Sequence, residues 1–473
     1  MPFGNLPSCD FLFTPSFMEN YYSDSVPISR DDSISRRYKT LKAFLQNPFS
    51  YPFGEYAPLD ILSACWEDID SDEYFMILRE CWNEIVSPEA MNLINLAKKK
   101  AQTLGDFVVI HIRSGDVVYG NDVLKSINPY QFIQKPLSPY LALEIIDKER
   151  QKGRNVVLFS DDLPTLQALK QQNNQMLKNN ENIGGLWIAD DLCDSLLGFE
   201  RRIFEVILMS EAQVLYSSGE SLFSRLSLMI GEVKSITVNE FLTPQNQYEI
   251  IKEYLESYRF HSAQEAFAYL KLWDLGRLLS CPVSIQKSYI QKASFLSHLI
   301  TYKVLYVFSL LENQEFEEAN SFLSEVYQSW KDEFIQHLLS GHYGNEKANF
   351  LFAFTFLPYF ASLSVEKIPY IAYFKYVIAL GLKEKSVEQI RNVKGYQKIL
   401  NSLLDTHSMY LFCQTASKMN AFGDVVCEIQ SETLKNKIYL IKKAFRRRRI
   451  EKLKNSLHKR WRRIIQVGAL PSN

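Results

Sequence analysis

Val108-Val-Ile-His-Ile-Arg-Ser-Gly-Asp116 decides how the rest of this 473-residue chain is read. Its apolar, β-branched first half predicts a buried strand. The run stops at His111 and Arg113, then turns through Ser114-Gly115 to an acid. Open α/β sheets hold their ligands at the carboxyl ends of the strands. A guanidinium at that place matches the forked geometry of phosphate oxygens. The stretch therefore predicts binding of a phosphorylated small molecule. The competing reading is a plain strand-end turn whose arginine pairs with a nearby carboxylate.

Two downstream segments repeat the pattern. In Asn155-Val-Val-Leu-Phe-Ser-Asp-Asp-Leu-Pro-Thr-Leu-Gln-Ala-Leu169 a second apolar strand stops at Ser160-Asp161-Asp162. An acidic cap and an early proline then announce a helix. The segment Phe204–Ile230 reads as helix, short strand, a hydroxyl- and glycine-rich turn (Ser217-Ser-Gly-Glu-Ser221), and helix again. Backbone amides at such a helix start, with serine hydroxyls around them, form an anion site.

Taken in this order, strand–His-x-Arg, strand–Ser-Asp-Asp and Leu-Met-Ser-Glu-Ala…Ser-Ser-x-x-Ser…Arg resemble the GDP-fucose-dependent fucosyltransferases. These include the α-1,2, α-1,6, nodulation and protein O-fucosyltransferases, and the resemblance spans roughly residues 105–235. It implies a two-domain GT-B fold and metal-independent transfer with inversion at the fucose anomeric carbon. It also implies no cofactor, the donor being GDP-fucose or another nucleotide sugar. By the resemblance, Arg113 contacts the donor diphosphate and stabilises the departing GDP. His111 contacts the nucleotide or braces Arg113. Asp161 and Asp162 lie near the guanine or its supporting loop, and Glu205 is an acid of the third motif. Ser217, Ser218 and Ser221 wrap the phosphates, and Arg225 is the basic residue on the following helix. For Glu205 and Arg225 a helix-surface ion pair is the alternative.

The chain departs from that pattern in two places. Many α-1,2 and α-1,6 relatives carry two consecutive arginines, and here the second position is Ser114. Where α-1,6 members have an acid eight residues after the arginine, this chain has Asn121, with Asp122 beside it. Asp116 and Asp122 are the candidates for the general base that deprotonates the acceptor hydroxyl. Asp116 reads equally as a turn-capping residue.

Composition predicts a folded protein with substantial cores, of about two to four domains. Seven scattered cysteines with no Cys-x-x-Cys pair speak for reduced structural thiols and against a zinc site. The amino terminus has neither a basic nor a continuous apolar region, so no signal peptide is expected, and no apolar run reaches membrane-spanning length. The expected location is the cytoplasm.

Four segments follow. Residues 1–103 are loop-like and then helical, with helices over Glu73–Val86 and Pro88–Gln102, a reduced stand-in for the acceptor half of a GT-B enzyme. Residues 104–242 form the Rossmann-like nucleotide-sugar half, with strands near 106–112, 155–160, 185–189, 213–216 and 234–238. Residues 243–440 are helical, including Glu312–Tyr327, with a faint tetratricopeptide-like flavour around Asn313–Leu323. The apolar stretches Phe350–Leu363 and Ile368–Leu382 are too short to span a bilayer and read as buried helices.

Residues 441–473 are a basic amphipathic tail. Lys442–Arg463 carries a net charge of +11, against −1 for the whole chain. Phe445, Ile450, Leu453, Leu457, Trp461 and Ile464 form an apolar stripe between the cations. That combination suits an anionic lipid surface, here the inner face of the cell membrane. Docking on an acidic protein partner or on the chain's own acidic face is an alternative, and nucleic-acid binding is the weaker reading, since no aromatic-interleaved platform is present. Two functions result: a glycosyltransferase acting on a glycan, lipid-linked glycan or envelope polysaccharide precursor, or a degenerate transferase-like binding module on a helical scaffold.

Overall fold

In a computed structural model the residues described are 9–21, 39–46, 66–120, 133, 135–176, 183–193, 196–219, 221–339 and 368–384. They divide into two compact units, one ending at Tyr306 and the other beginning at Val307. Asp122, the stretch Phe350–Leu363 and the basic tail lie outside the described residues.

In the first unit, the described residues before the sheet form helices α1 (Cys9–Leu12), α2 (Pro15–Tyr21), α3 (Leu41–Gln46), α4 (Ser71–Ile85) and α5 (Pro88–Leu104). Local chemistry explains the last of them. The Ser87 hydroxyl accepts from the Ala90 amide at 3.1 Å, Pro88 opens the first turn, and Gly105 ends the helix at φ 64°. Ala90, Ile94, Ala97, Ala101 and Leu104 recur on its buried face.

The sheet holds β1 (Phe107–Ile112), β2 (Asn155–Ser160), β3 (Leu186–Ile188), β4 (Val214–Ser217) and β5 (Lys234–Thr237), all parallel in the order β3-β2-β1-β4-β5. These strands match the sequence expectation to within a residue or two at each end. For β1 and β2 the reason is that unbroken apolar runs are what a strand covered on both faces requires, whereas the edge strand β5 (Lys-Ser-Ile-Thr) is partly exposed. Between them run α6 (Pro139–Gln151), α7 (Leu163–Met176), α8 (Gly198–Ser210) and α9 (Leu222–Ile230). This is a doubly wound, Rossmann-like α/β sheet. On one face Val109, Val157, Phe159 and Leu215 pack with α5, α8 and α9. On the other, Tyr216 reaches Glu149 of α6 at 3.0 Å. Helix α5 thus completes a layer of the sheet domain, where the sequence reading had set it in a separate amino-terminal part.

After β5 come α10 (Val238–Phe241), α11 (Pro244–Ser257), α12 (Ser262–Leu278) and α13 (Val283–Leu296). The sequence reading placed this region in a helical domain starting at 243. In the structure α11–α13 share the first unit with the sheet. Tyr254 of α11 donates to Glu144 of α6 at 2.6 Å, and Gln264 of α12 donates to Asp162 at 2.9 Å.

The helix α14 (Ile300–Glu312) crosses from one unit into the other, and the second unit adds α15 (Phe316–Ser329), α16 (Lys331–Leu339) and α17 (Pro369–Glu384). The single helix expected over Glu312–Tyr327 is broken at its start. Gln314 adopts φ 60°, and the Glu315 amide bonds back to Leu310 O at 2.8 Å, closing α14 with a left-handed cap. The Asn320 side chain of α15 accepts from the Tyr370 amide at 2.9 Å and so caps α17 from a distance. Ile371, Phe374, Tyr376 and Ile378 of α17 are buried, as the apolar stretch predicted. Among the described residues no helix is long and apolar enough to cross a membrane.

Candidate functional site

The strand order reverses between β1 and β4, and at such a switch point the crossover helices leave toward opposite faces and open a crevice. Register sharpens its position. Pairing of β1 with β2 runs on to Ile112 and Ser160, whereas pairing with β4 ends at Ile110 and Tyr216. His111, Arg113 and the Ser217–Ser221 turn therefore lie past the last β1–β4 pair, flanking the crevice.

One hydrogen bond ties the two sides together. His111 Nδ1 lies 2.5 Å from Ser224 Oγ in the first turn of α9, with the Phe223 ring 5.8 Å from the imidazole. His111 is buried, and burial, with Arg113 adding repulsion, lowers its pKa to about 4 against the opposing pull of Asp161. The imidazole is therefore neutral near pH 7. Arg113 itself is half-buried at the mouth of the turn.

The β4 side is shaped by backbone. Ser217 Oγ accepts from the Gly219 amide at 3.1 Å, and Gly219 sits at φ 85°, a region that favours glycine. Ser221 occupies the N-cap of α9 yet caps nothing with its side chain; its hydroxyl is buried and without a partner. The Ser221 side chain thus leaves the first amides of α9 uncapped. Ser218 is half-buried and lines a cavity described below, and Arg225 is half-buried on α9.

The acids at the end of β2 have a different occupation. Asp161 Oδ1 accepts the amides of Ser114 at 3.1 Å and Gly115 at 2.8 Å. The approach is so close that a Cβ on Gly115 would fall 2.7 Å from Asp161 Oδ2. Asp162 is buried and gathers four donors on Oδ2: Thr165 Oγ1 at 2.6 Å, Tyr119 Oη at 2.8 Å, Gln264 Nε2 at 2.9 Å and Ser114 Oγ at 3.5 Å. Its Oδ1 accepts the Thr165 amide at 3.2 Å and so caps α7. The pair holds the Arg113–Gly115 turn in place, together with a single π-helical turn at Gly115–Tyr119. Such turns recur at functional sites.

Glu205 stands in another cluster. It accepts from Arg201 Nε at 2.7 Å, while Arg201 also meets Asp190 at 2.9 Å. Burial raises the Glu205 pKa despite Arg201, and the two carboxylates keep Arg201 charged. The structure thus gathers His111, Arg113, Asp161, Asp162, Ser217 and Ser221 around the carboxyl ends of β1, β2 and β4, and holds Glu205 in a largely buried ion network with Arg201 and Asp190. Asp116 belongs to the π-helical turn by its backbone.

Sequence reasoning missed Ser224, Thr165, Tyr119 and Gln264. Thr165 follows Asp162 by the three-residue interval of a helix cap, a usable signal. Gln264 lies 102 residues from its partner, and no local pattern betrays it.

The fold defines a Rossmann-like α/β protein with a crevice at the topological switch point of its sheet. No protein-family model matches the chain, and no curated protein matches it. Among solved structures, the crystal structure of POFUT1 in complex with GDP-fucose (crystal form II) is similar at 17% identity and a TM-score of 0.26. The match covers 42% of this chain and 58% of that one, so the alignment spans little more than half of POFUT1's length.

Proposed function

We propose that the sheet-bearing unit binds a nucleotide sugar across the β1/β4 crevice and acts as a glycosyltransferase of GT-B type. The specific reading is metal-independent, inverting transfer of L-fucose from GDP-fucose to a glycan or envelope polysaccharide precursor. One observation carries it. Two phosphate-directed segments, read separately from the sequence, are joined across the switch point by the His111–Ser224 hydrogen bond.

In this reading the acceptor oxygen attacks the anomeric carbon while the bond from that carbon to the diphosphate breaks. Negative charge develops on the departing nucleotide, where the Arg113 guanidinium and the amides of α9 offset it. Neutral His111 braces the strand end by hydrogen bonding and adds no charge. Asp161 and Asp162 keep the Arg113 turn preorganised from the side away from the ligand. The acceptor proton passes to a carboxylate, with Asp116 and Asp122 as the proposed bases.

The test is a calorimetric titration with GDP, GDP-fucose, UDP and ADP in the absence of metal. Selective binding of GDP and GDP-fucose, lost in Arg113→Ala, supports the reading. Preference for another nucleotide overturns fucose, and no nucleotide binding leaves the degenerate binding module. Residues 442–463 are proposed to hold the chain at an anionic membrane surface, with their deletion releasing it from anionic liposomes. Continued liposome binding by the shortened chain overturns that role.

A further inference from the structure

A cavity of about 180 Å³ opens beside Ser218, and its other walls lie outside the motifs that define the crevice. Its walls come from four elements: Leu137, Ser138 and Leu141 at the start of α6, Ser218 after β4, Asn239 of α10 and Lys271 of α12. Lys271 is the cation among these walls, and no acid is found among the described lining residues. Its one described hydrogen bond is long, 3.5 Å to the Ile133 carbonyl. Burial lowers the Lys271 pKa, while Asp274, one turn along the same helix, pulls the other way.

The other walls carry donors. Asn239 Oδ1 accepts from Gln247 Nε2 at 3.0 Å, which leaves the Asn239 amide NH₂ for a different acceptor. Ser138 is the N-cap of the 13-residue helix α6 but its side chain caps no amide, and its hydroxyl is buried without a partner. Helix α6 therefore presents an uncapped positive end to the same cavity that Lys271 lines. A half-buried ammonium, a fixed amide donor, a serine and an uncapped helix start around one small cavity are the chemistry of anion capture.

The geometry points to this cavity as a phosphoryl-binding subsite with Lys271 as its cation and Asn239 as a wall donor. It goes beyond the crevice reading, resting on it only for one of the two sources of that phosphoryl group. The group could belong to the donor nucleotide, or to a second phosphorylated ligand held beside it.

The experiment titrates inorganic phosphate into the full chain carrying Arg113→Ala, so that the crevice arginine does not contribute. Phosphate binding is expected there, weakened about tenfold or more by adding Lys271→Met, since a hydrogen-bonded charge is lost. Asn239→Asp keeps the acceptor for Gln247 and puts a carboxylate on the wall. It should weaken phosphate to a similar degree and decides the matter if Lys271→Met does not fold. Absence of phosphate binding, or binding unchanged in the folded variants, overturns the subsite. GDP is then added to the phosphate-loaded chain with Arg113 intact. Displacement of the Lys271-dependent phosphate assigns the subsite to the donor, and simultaneous binding assigns it to a second ligand. Failure of the fucosyltransferase reading shows separately, as loss of nucleotide binding with Lys271-dependent phosphate binding retained.

Discussion

The two halves of the sheet's carboxyl edge look alike in sequence and differ in structure. At the β2–β3 end, strands run into Asp161-Asp162 and Asp190-Asp191, and the acids there are engaged by the protein. Asp162 collects five hydrogen bonds, and Asp190 shares Arg201 with Glu205. At the β1–β4 end, strands run into His111-x-Arg113 and Ser217-Ser218, and polar groups remain open: the Ser221 hydroxyl has no partner and α9 has no side-chain cap. A buried polar group left unsatisfied costs folding free energy, and under the proposed function a ligand at Ser221 offsets that cost. Under the proposed function, one edge is support and the other is receptor.

The sharpest way to break this contrast is Arg113→Ala. A hydrogen bond to a charged group contributes about 1.5–3 kcal/mol, so losing a fork of two lowers nucleotide affinity on the order of 100-fold or more. The melting profile should hardly change. Wild-type affinity in calorimetry would place the ligand elsewhere.

Asp162→Ala should do the reverse. It orphans the half-buried Tyr119 donor and the buried Thr165 and Gln264 donors together, a loss of about 3 kcal/mol or more in a denaturant titration. Asp162→Asn keeps the shape but exchanges an acceptor for a donor and should fall between. An alanine variant as stable as wild type, with only ligand binding lost, would move Asp162 to the receptor side.

The two edges also differ in how far the sequence discloses them. The strands were legible because parallel strands buried on both faces need continuous apolar runs, and Val108–Ile112 and Val156–Phe159 have little else. The position of Arg113 and the serine turn at strand ends was legible because strand ends are marked by local sequence. The assignment of Asp161 and Asp162 to loop support was not. Their partners include Ser114, 48 residues from Asp162, and Gln264, 102 residues from it, contacts that only the folded chain creates. The same applies to the placement of α11–α13 with the sheet. Amphipathic spacing shows that a helix buries a face, without showing against what. The break at Gln314 shows a further limit, since a left-handed cap on a residue other than glycine leaves little trace in sequence.

His111 sits on the receptor edge, and its burial gives a pH signature. The folded imidazole takes up a proton only at about pH 4, while the unfolded one does so near 6.5. Between those values the unfolded state binds more protons, so stability falls as pH drops from 6.5 toward 4 and this contribution levels off below. The slope reaches up to about 1.4 kcal/mol per pH unit, about 3 kcal/mol in all. His111→Gln should flatten the difference in stability between pH 6.5 and 4.5 relative to wild type. Parallel stability–pH curves for the two proteins would mean that the imidazole protonates in place.

Glu205 provides the smallest effect and the most discriminating control. The sequence reading left it between ligand contact and ion pair, and the structure gives it an Arg201 partner that Asp190 also holds. Glu205→Gln keeps the side-chain volume and an acceptor for Arg201, and Asp190 remains to neutralise the guanidinium. Because one charge-assisted hydrogen bond becomes a neutral one and Asp190 still pairs with Arg201, the expected cost is about 1 kcal/mol. Burial already raises the Glu205 pKa, which makes the neutral amide a mild replacement. Nucleotide affinity should match wild type, because a residue that supports the β3 end of the sheet has no path to the β1/β4 crevice except through the fold, which this change leaves intact. A loss of affinity without loss of stability would extend the receptor edge across the sheet and dissolve the division between the two ends.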